Sequence, residues 1–294
     1  MDRLASYEMF VAIAREGSLS AAARRLGLSA QAVTRRLAAL EGRLGVRLFH
    51  RTTRAVSLTA EGAEHLPRIE RLLRDLAESE RELLGSLAEP HGELAITAPV
   101  MFGQLHVMPV VSELLAQYPA LDIRLLLLDR NVRLIEEGID VALRIGDLPD
   151  SALRAVKIGS VREVIVASPG YLARKGHPAS TADLAGHDLI ASTGPRGAAE
   201  WRFGSGDGAV RARRRLKVNT VSAALAAAEA GVGLANFLSY QAAEALAAGR
   251  LIEVLPPGQA RAIPIHLLFE AGRANSAATR LFIDAMRARG ARGF

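Results

Sequence analysis

The chain has 294 residues, half of them hydrophobic and 23% charged, with a formal net charge of +6 and no cysteine. That balance fits a globular protein of more than one domain and excludes a disordered chain, a disulfide scaffold and a thiolate metal site. The basic excess favours polyanionic partners; with no secretory pattern in residues 1–8 and no run of about 18 apolar residues, a cytoplasmic location and no membrane partner are expected.

Leu4, Tyr7, Phe10, Ile13 and Ala14 follow helical spacing and predict a helix over residues 4–15 that Gly17 ends. Ser18 caps a shorter helix carrying Ala21, Ala22, Ala23 and Leu26, and Gly27 breaks it. Ser29 caps a third helix with Val33, Leu37, Leu40 and Leu44 on its inner stripe. Short helices joined by a glycine-containing turn, with alanines where they cross, make the helix-turn-helix pattern. The outward face of the third helix then presents Ala30, Gln31, Thr34, Arg35 and Arg36. Those types suit the major groove: amide to adenine, hydroxyl to either base, guanidinium to guanine or phosphate. Residues 46–58 read as two short strands around a basic turn, a wing whose Arg51 and Arg54 reach phosphate or minor groove. Arg24 and Arg25 fit phosphate contact and plain surface equally well.

Thr59-Ala60-Glu61-Gly62 opens a long helix running to about Leu87, on the order of 40 Å at about 1.5 Å per residue. Leu66, Ile69, Leu73, Leu76, Leu83 and Leu87 step by three and four along it, with Glu80 filling one polar turn. Two readings stand: a dimer seam, or a helix lying on its own subunit. Pro67 is expected to bend the helix near its start. Beyond a linker at residues 89–92, strands are predicted at 93–98, 121–128, 140–145, 163–167, 189–192, 216–218 and 263–270. Helices are predicted at 102–118, 132–137, 169–174, 222–230 and 275–289. This alternation predicts βαβ units and a parallel sheet.

Other motifs are poor candidates. The glycines of residues 204–208 form a turn between strands, since a phosphate loop needs a following helix. Arg211, Arg213, Arg214 and Arg215 decorate a strand, with a second DNA surface as the alternative reading. The seven histidines lack metal-ligand spacing, and no nucleophile elbow, phosphate-loop lysine or paired carboxylates appear. No catalytic residue, metal or cofactor is therefore expected.

The chain resembles the LysR-type transcriptional regulators. The resemblance rests on Phe10-Val11-Ala12-Ile13-Ala14, Gly17-Ser18-Leu19-Ser20-Ala21-Ala22-Ala23, Leu26-Gly27-Leu28-Ser29 and Val33-Thr34-Arg35-Arg36-Leu37. It continues through Leu40-Glu41, Leu44-Gly45-Val46-Arg47-Leu48-Phe49-His50-Arg51-Thr52-Thr53-Arg54 and Leu58-Thr59-Ala60-Glu61-Gly62. It implies an α/β chain: a mainly α winged helix-turn-helix, a dimerising linker helix, and a two-lobed α/β effector domain like a type 2 periplasmic-binding protein. The expected boundaries are 1–58, 59–89 and 90–294, with lobe one at about 91–162 and 263–294 and lobe two at about 163–262. The implied function is a sequence-specific DNA-binding transcriptional regulator, not an enzyme, responding to a small-molecule effector. Its partners would be operator duplex DNA, the effector in the cleft between lobes, and further copies in a homodimer or homotetramer. Where relatives often have glutamine or proline after the capping serine, this chain has Ala30 and then Gln31; Thr34 stands where serine is commoner.

Ligands of open parallel sheets sit at the carboxyl ends of strands. That selects Thr97, Pro99, Val100, Met101 and Phe102, then Arg144 and Ile145, then Thr193, Asn219 and Thr220. The resemblance adds Gly233 to the wall. The apolar run 99–102 points to an apolar or aromatic effector, or to a pocket filled by side chains; Arg144 binds an acid or braces the lobes. A solute-binding or catalytic α/β protein is the rival reading, against which the first 62 residues argue.

Overall fold

The structure is a computed structural model and describes residues 2–51, 56–83, 89–130, 132–149, 151–192, 213–255, 262–272 and 276–294. It divides into two compact units, residues 1–89 with the segment Val132–Ile139, and the remainder.

In the first unit, helices α1 (Arg3–Glu16), α2 (Leu19–Arg25) and α3 (Ala30–Leu44) are each opened by a polar cap. Asp2 accepts the Leu4 amide, Ser18 the Ala21 amide and Ser29 the Ala32 amide, which satisfies donors the helices leave over. Gly17 and Gly45 end α1 and α3 in the left-handed region, at φ +60 and +72. Ala22 and Ala23 are buried where α2 meets its neighbours, and Phe10, Ile13, Val33 and Leu37 are fully enclosed. Strands β1 (Phe49–Arg51) and β2 (Val56–Leu58) pair antiparallel as the wing. The Thr59 hydroxyl accepts the Gly62 amide at the start of α4 (Ala60–Leu83), which continues through Pro67. A side chain at Gly62 would strike the Leu48 carbonyl, so this glycine permits the helix to lie against the wing.

The first turns of α4 decide between the two readings of its apolar stripe. Leu66, Ile69 and Leu73 pack into the core of the winged helix itself, and Arg15 of α1 meets Glu70 at 2.9 Å. Leu72 and Leu76 are instead left exposed. The seam read from sequence is thus split: its N-terminal half is intramolecular. The side chain of Leu83, and Leu87 altogether, lie outside the described residues.

The expected helix at 132–137 is a turn. Single hydrogen bonds, such as Glu137 N–H to Arg133 O, close it, and Gly138 at φ +62 stops it before a second turn can form.

The second unit contains two sheets. In chain order come β3 (Gly92–Ala98), α5 (Val100–Phe102), a π-helical turn (Gly103–Val107), α6 (Met108–Gln117), β4 (Leu121–Leu127), β5 (Val141–Ile145), β6 (Arg154–Val161) and β7 (Glu163–Ala167). Then follow α7 (Pro169–Lys175), β8 (Asp188–Ser192), β9 (Arg213–Val218), α8 (Val221–Glu229), β10 (Leu234–Leu238), α9 (Ser239–Ala247), β11 (Ile252–Glu253), β12 (Ile263–Phe269) and α10 (Ala277–Gly290). Among the described residues, lobe one has the strand order β4-β3-β5-β12-β6 and lobe two β11-β7-β10-β8-β9.

Neither sheet is purely parallel, contrary to expectation. In lobe one β3 runs parallel to β4 and β5, whereas β12 is antiparallel to β5 and β6. In lobe two β10 and β9 are parallel to β8, and β7 is antiparallel to β10 and β11. The reversals follow from a chain that leaves lobe one after β6 and returns to it as β12. Arg162 alone separates β6 from β7. There its carbonyl accepts the Ser239 amide at 2.8 Å, and its guanidinium forks onto the Glu253 carboxylate. Ile96, Leu143, Ile265, Phe282 and Met286 centre one core; Val166, Ala235, Phe237 and Ala228 centre the other.

Candidate nucleic-acid interface and effector lobes

On α3 the Ser29 cap and the buried stripe Val33, Leu37 and Leu40 fix which face is left over. Ala30, Gln31, Thr34 and Arg35 are exposed on it, and Arg36 is half-buried. Two hydroxyls are already engaged. Ser29 holds the Ala32 amide at 3.1 Å, and Thr34 donates to the Ala30 carbonyl at 2.9 Å, leaving Thr34 as an acceptor and a methyl. Arg35 forms no ion pair among the described residues, so its fork of donors remains available. Arg51 is in β1 opposite Val56, with its side chain outside the described residues; Arg54 lies outside them entirely. Arg25 pairs with Glu16 at 3.1 Å, which ties α2 to α1.

One residue that fixes the wing was not singled out from sequence. Glu41, on the far half of α3, accepts the amides of both Leu48 and Phe49. The only signal was an acid placed just before Leu44-Gly45.

In lobe one, β3 and β5 are adjacent and parallel, with Thr97 opposite Ala142, so Pro99, Val100, Arg144 and Ile145 gather at one end of the sheet. The Val100 amide donates to Asp129 at 3.1 Å, and the Met101 side chain leans on the core. The Thr97 side chain is turned sideways, donating to the Leu126 carbonyl at 2.9 Å. Phe102 departs from its expected role. It is fully buried, its ring 4.7 Å from His106, 5.1 Å from Tyr240 and 4.9 Å from Phe294, so it belongs to the core rather than to a pocket wall. Arg144 stands opposite His266 of β12.

In lobe two, Ser192 pairs with Val218, which puts Asn219 and Thr220 at the carboxyl end of that sheet, both exposed. Thr220 also caps α8 through the Ala223 amide. Thr193 lies outside the described residues, as do Arg211 and residues 204–208. Gly233 is buried where a side chain would collide with the Asp188 carbonyl, so close packing against β8 requires the glycine. Arg213, Arg214 and Arg215 are exposed on β9, and Arg215 pairs with Asp188 at 3.4 Å. The Tyr171 hydroxyl is hydrogen-bonded to His187 Nδ1 at 3.2 Å and accepts the Asp188 amide, and burial pushes the His187 pKa down. Among the described residues no His, Asp or Glu cluster is arranged for a metal, and no helix is long and apolar enough to cross a membrane.

Residues 4–63 match the bacterial regulatory helix-turn-helix of the lysR family, and residues 87–291 match the LysR substrate binding domain. The chain belongs to the LysR family. It is therefore a DNA-binding transcriptional regulator with an effector-binding domain. It is 33% identical over 288 residues to a transcriptional repressor of Pseudomonas aeruginosa, covering 97% of this chain and 91% of the relative. The regulator CrgA of Neisseria meningitidis is 32% identical over 94% of this chain and 93% of its own length. The solved structure of CrgA superposes with a TM-score of 0.63 at 30% identity, covering 97% of this chain and 98% of that one. Full-length AphB of Vibrio cholerae, described as a virulence activator, gives a TM-score of 0.61 at 26% identity over 98% and 99% of the two chains.

Proposed function

We propose that this protein works in the cytoplasm as a homodimer or homotetramer that reads a duplex operator and responds to a small effector, with no catalytic step of its own. Gln31, Thr34 and Arg35 meet base edges; Arg36, Arg51 and Arg54 hold phosphate. The effector lies between the carboxyl ends of the two sheets, against Pro99, Val100, Arg144, Ile145, Asn219 and Thr220. The observation that carries the DNA assignment is the division of α3 into a buried stripe and an exposed polar face with an uncommitted guanidinium. A good bidentate contact of that kind discriminates bases by about 1 to 3 kcal/mol.

The test uses duplexes selected from a random pool by the wild-type protein. Arg35→Ala is expected to bind them more weakly by about 1 to 3 kcal/mol and to relax preference at one base position. Unchanged affinity together with unchanged preference would remove Arg35 from the interface.

A further inference from the structure

The aromatic cluster of lobe one includes a ring that the sheet does not need. The Phe294 ring stands 4.9 Å from Phe102 and 5.2 Å from His106, and the residue is only half-buried at the margin of the lobe-one core. Its space depends on Gly159, where an added Cβ would come within 2.8 Å of the ring; Gly290, whose Cβ would strike the Ile158 carbonyl first, lets helix α10 approach β6 beside it. The π-helical turn at 103–107 stacks Phe102 and His106 into one wall, and such turns are frequent at functional sites.

Beside the ring lies a charged fork. The Arg289 guanidinium sits 5.6 Å from the Phe294 ring centre, donates to the Gly293 carbonyl at 2.7 Å and to His106 Nδ1 at 3.1 Å. Burial and the Arg289 charge lower the His106 pKa to about 4, so the imidazole is neutral and carries its proton on Nε2. That Nε2 is buried with no hydrogen-bond partner among the described residues. Gly293, one residue before the ring, takes the left-handed φ of +86 that glycine favours.

We propose that the slot filled by Phe294 is a ligand site separate from the cleft between the lobes, that it takes a small aromatic acid, and that Phe294 holds it shut. The ligand ring takes the place of the Phe294 ring. Its carboxylate takes the Arg289 N–H that the Gly293 carbonyl now holds, a stronger acceptor for a guanidinium than an amide oxygen. Occupancy is felt at the joint of the domain, because Tyr240 enters the lobe-one core while Ala242 and Ala245 of the same helix lie in the lobe-two core.

The test is thermal unfolding of the full chain with 3-phenylpropionate, toluene or propionate. Phe294 competes in the wild type, so Phe294→Ala is expected to respond saturably to 3-phenylpropionate at concentrations lower by about tenfold or more. Toluene should act more weakly and propionate not at all. Phe294→Val, which opens less of the slot, should give the same ranking if the alanine variant folds poorly. Adding Gly159→Ala to Phe294→Ala puts a methyl where the edge of the ring lay and should abolish the response by obstructing the slot. No saturable response in either Phe294 variant overturns the proposal, as does a response that Gly159→Ala leaves intact. Equal action of toluene and 3-phenylpropionate overturns the assignment to an acid.

Discussion

The Glu41 carboxylate accepts the Leu48 amide at 2.9 Å, joining the end of α3 to the root of the wing. The Phe49 amide shares the same oxygen at 3.3 Å. Removing an acceptor from partly buried amides leaves them unsatisfied, at a cost of about 1 to 3 kcal/mol. Glu41→Ala should lower the stability of the N-terminal unit by that order in denaturant unfolding, with Glu41→Gln losing less. Equal stability of Glu41→Ala and wild type would show that water replaces the carboxylate.

The split stripe of α4 separates two kinds of leucine. Leu73→Ala should destabilise the winged helix, since a partly buried leucine loses both burial and packing. Leu72→Glu with Leu76→Glu should leave unfolding nearly unchanged but yield smaller species in sedimentation, because both are exposed in the single chain. An unchanged mass for that double variant would place self-association elsewhere.

His106 is expected to make lobe one sensitive to acid. Its folded pKa of about 4 lies below the unfolded value of 6.5, so the folded state binds the proton less readily than the unfolded chain. The resulting stability is present above pH 6.5 and is lost as pH falls towards 4, on the order of 3 kcal/mol in all. His106→Asn, which keeps an acceptor for Arg289, should flatten the stability profile across that window. A profile as steep in the variant as in wild type would assign the acid sensitivity to other groups.

Because Phe102 is enclosed, Phe102→Asp is expected to unfold lobe one rather than to probe a ligand. Asn219→Ala is the better variant, exposed at the carboxyl end of β9. It should weaken the effector's influence on operator affinity while basal binding stays intact. Operator titrations with and without effector decide this; a full response in Asn219→Ala would move the site away from that turn.

The first three helices were legible because their limits are local chemistry: Ser18 and Ser29 as caps, Gly17 and Gly45 as stops. The outward face of α3 followed from Val33, Leu37 and Leu40 alone. The strand Leu234–Leu238 and helix α9 are not legible in the sequence, since a short apolar run before an alanine-rich segment has no period that tells strand from helix. The burial of Phe102 is illegible for a different reason. Its surroundings come from Tyr240 and Phe294, far along the chain, and nothing in the run 99–102 encodes them. The α4 stripe was correctly spaced, but spacing does not say which body fills it, and the winged helix claimed Leu66, Ile69 and Leu73.

β12 lies between β5 and β6, although all of lobe two separates it from them in the chain. During synthesis, β5 and β6 would therefore emerge with no partner between them and wait for every strand of lobe two before they are bridged. A domain emerging N-terminus first at about 5 to 20 residues per second thus leaves two strand edges of lobe one open for several seconds. Lobe two waits less: β10, which lies between β7 and β8, follows them within one contiguous stretch of chain, and the whole lobe is made before β12 emerges. A nascent chain arrested before Ile263 should therefore carry a structured second lobe beside a first lobe still open to chaperones and to aggregation.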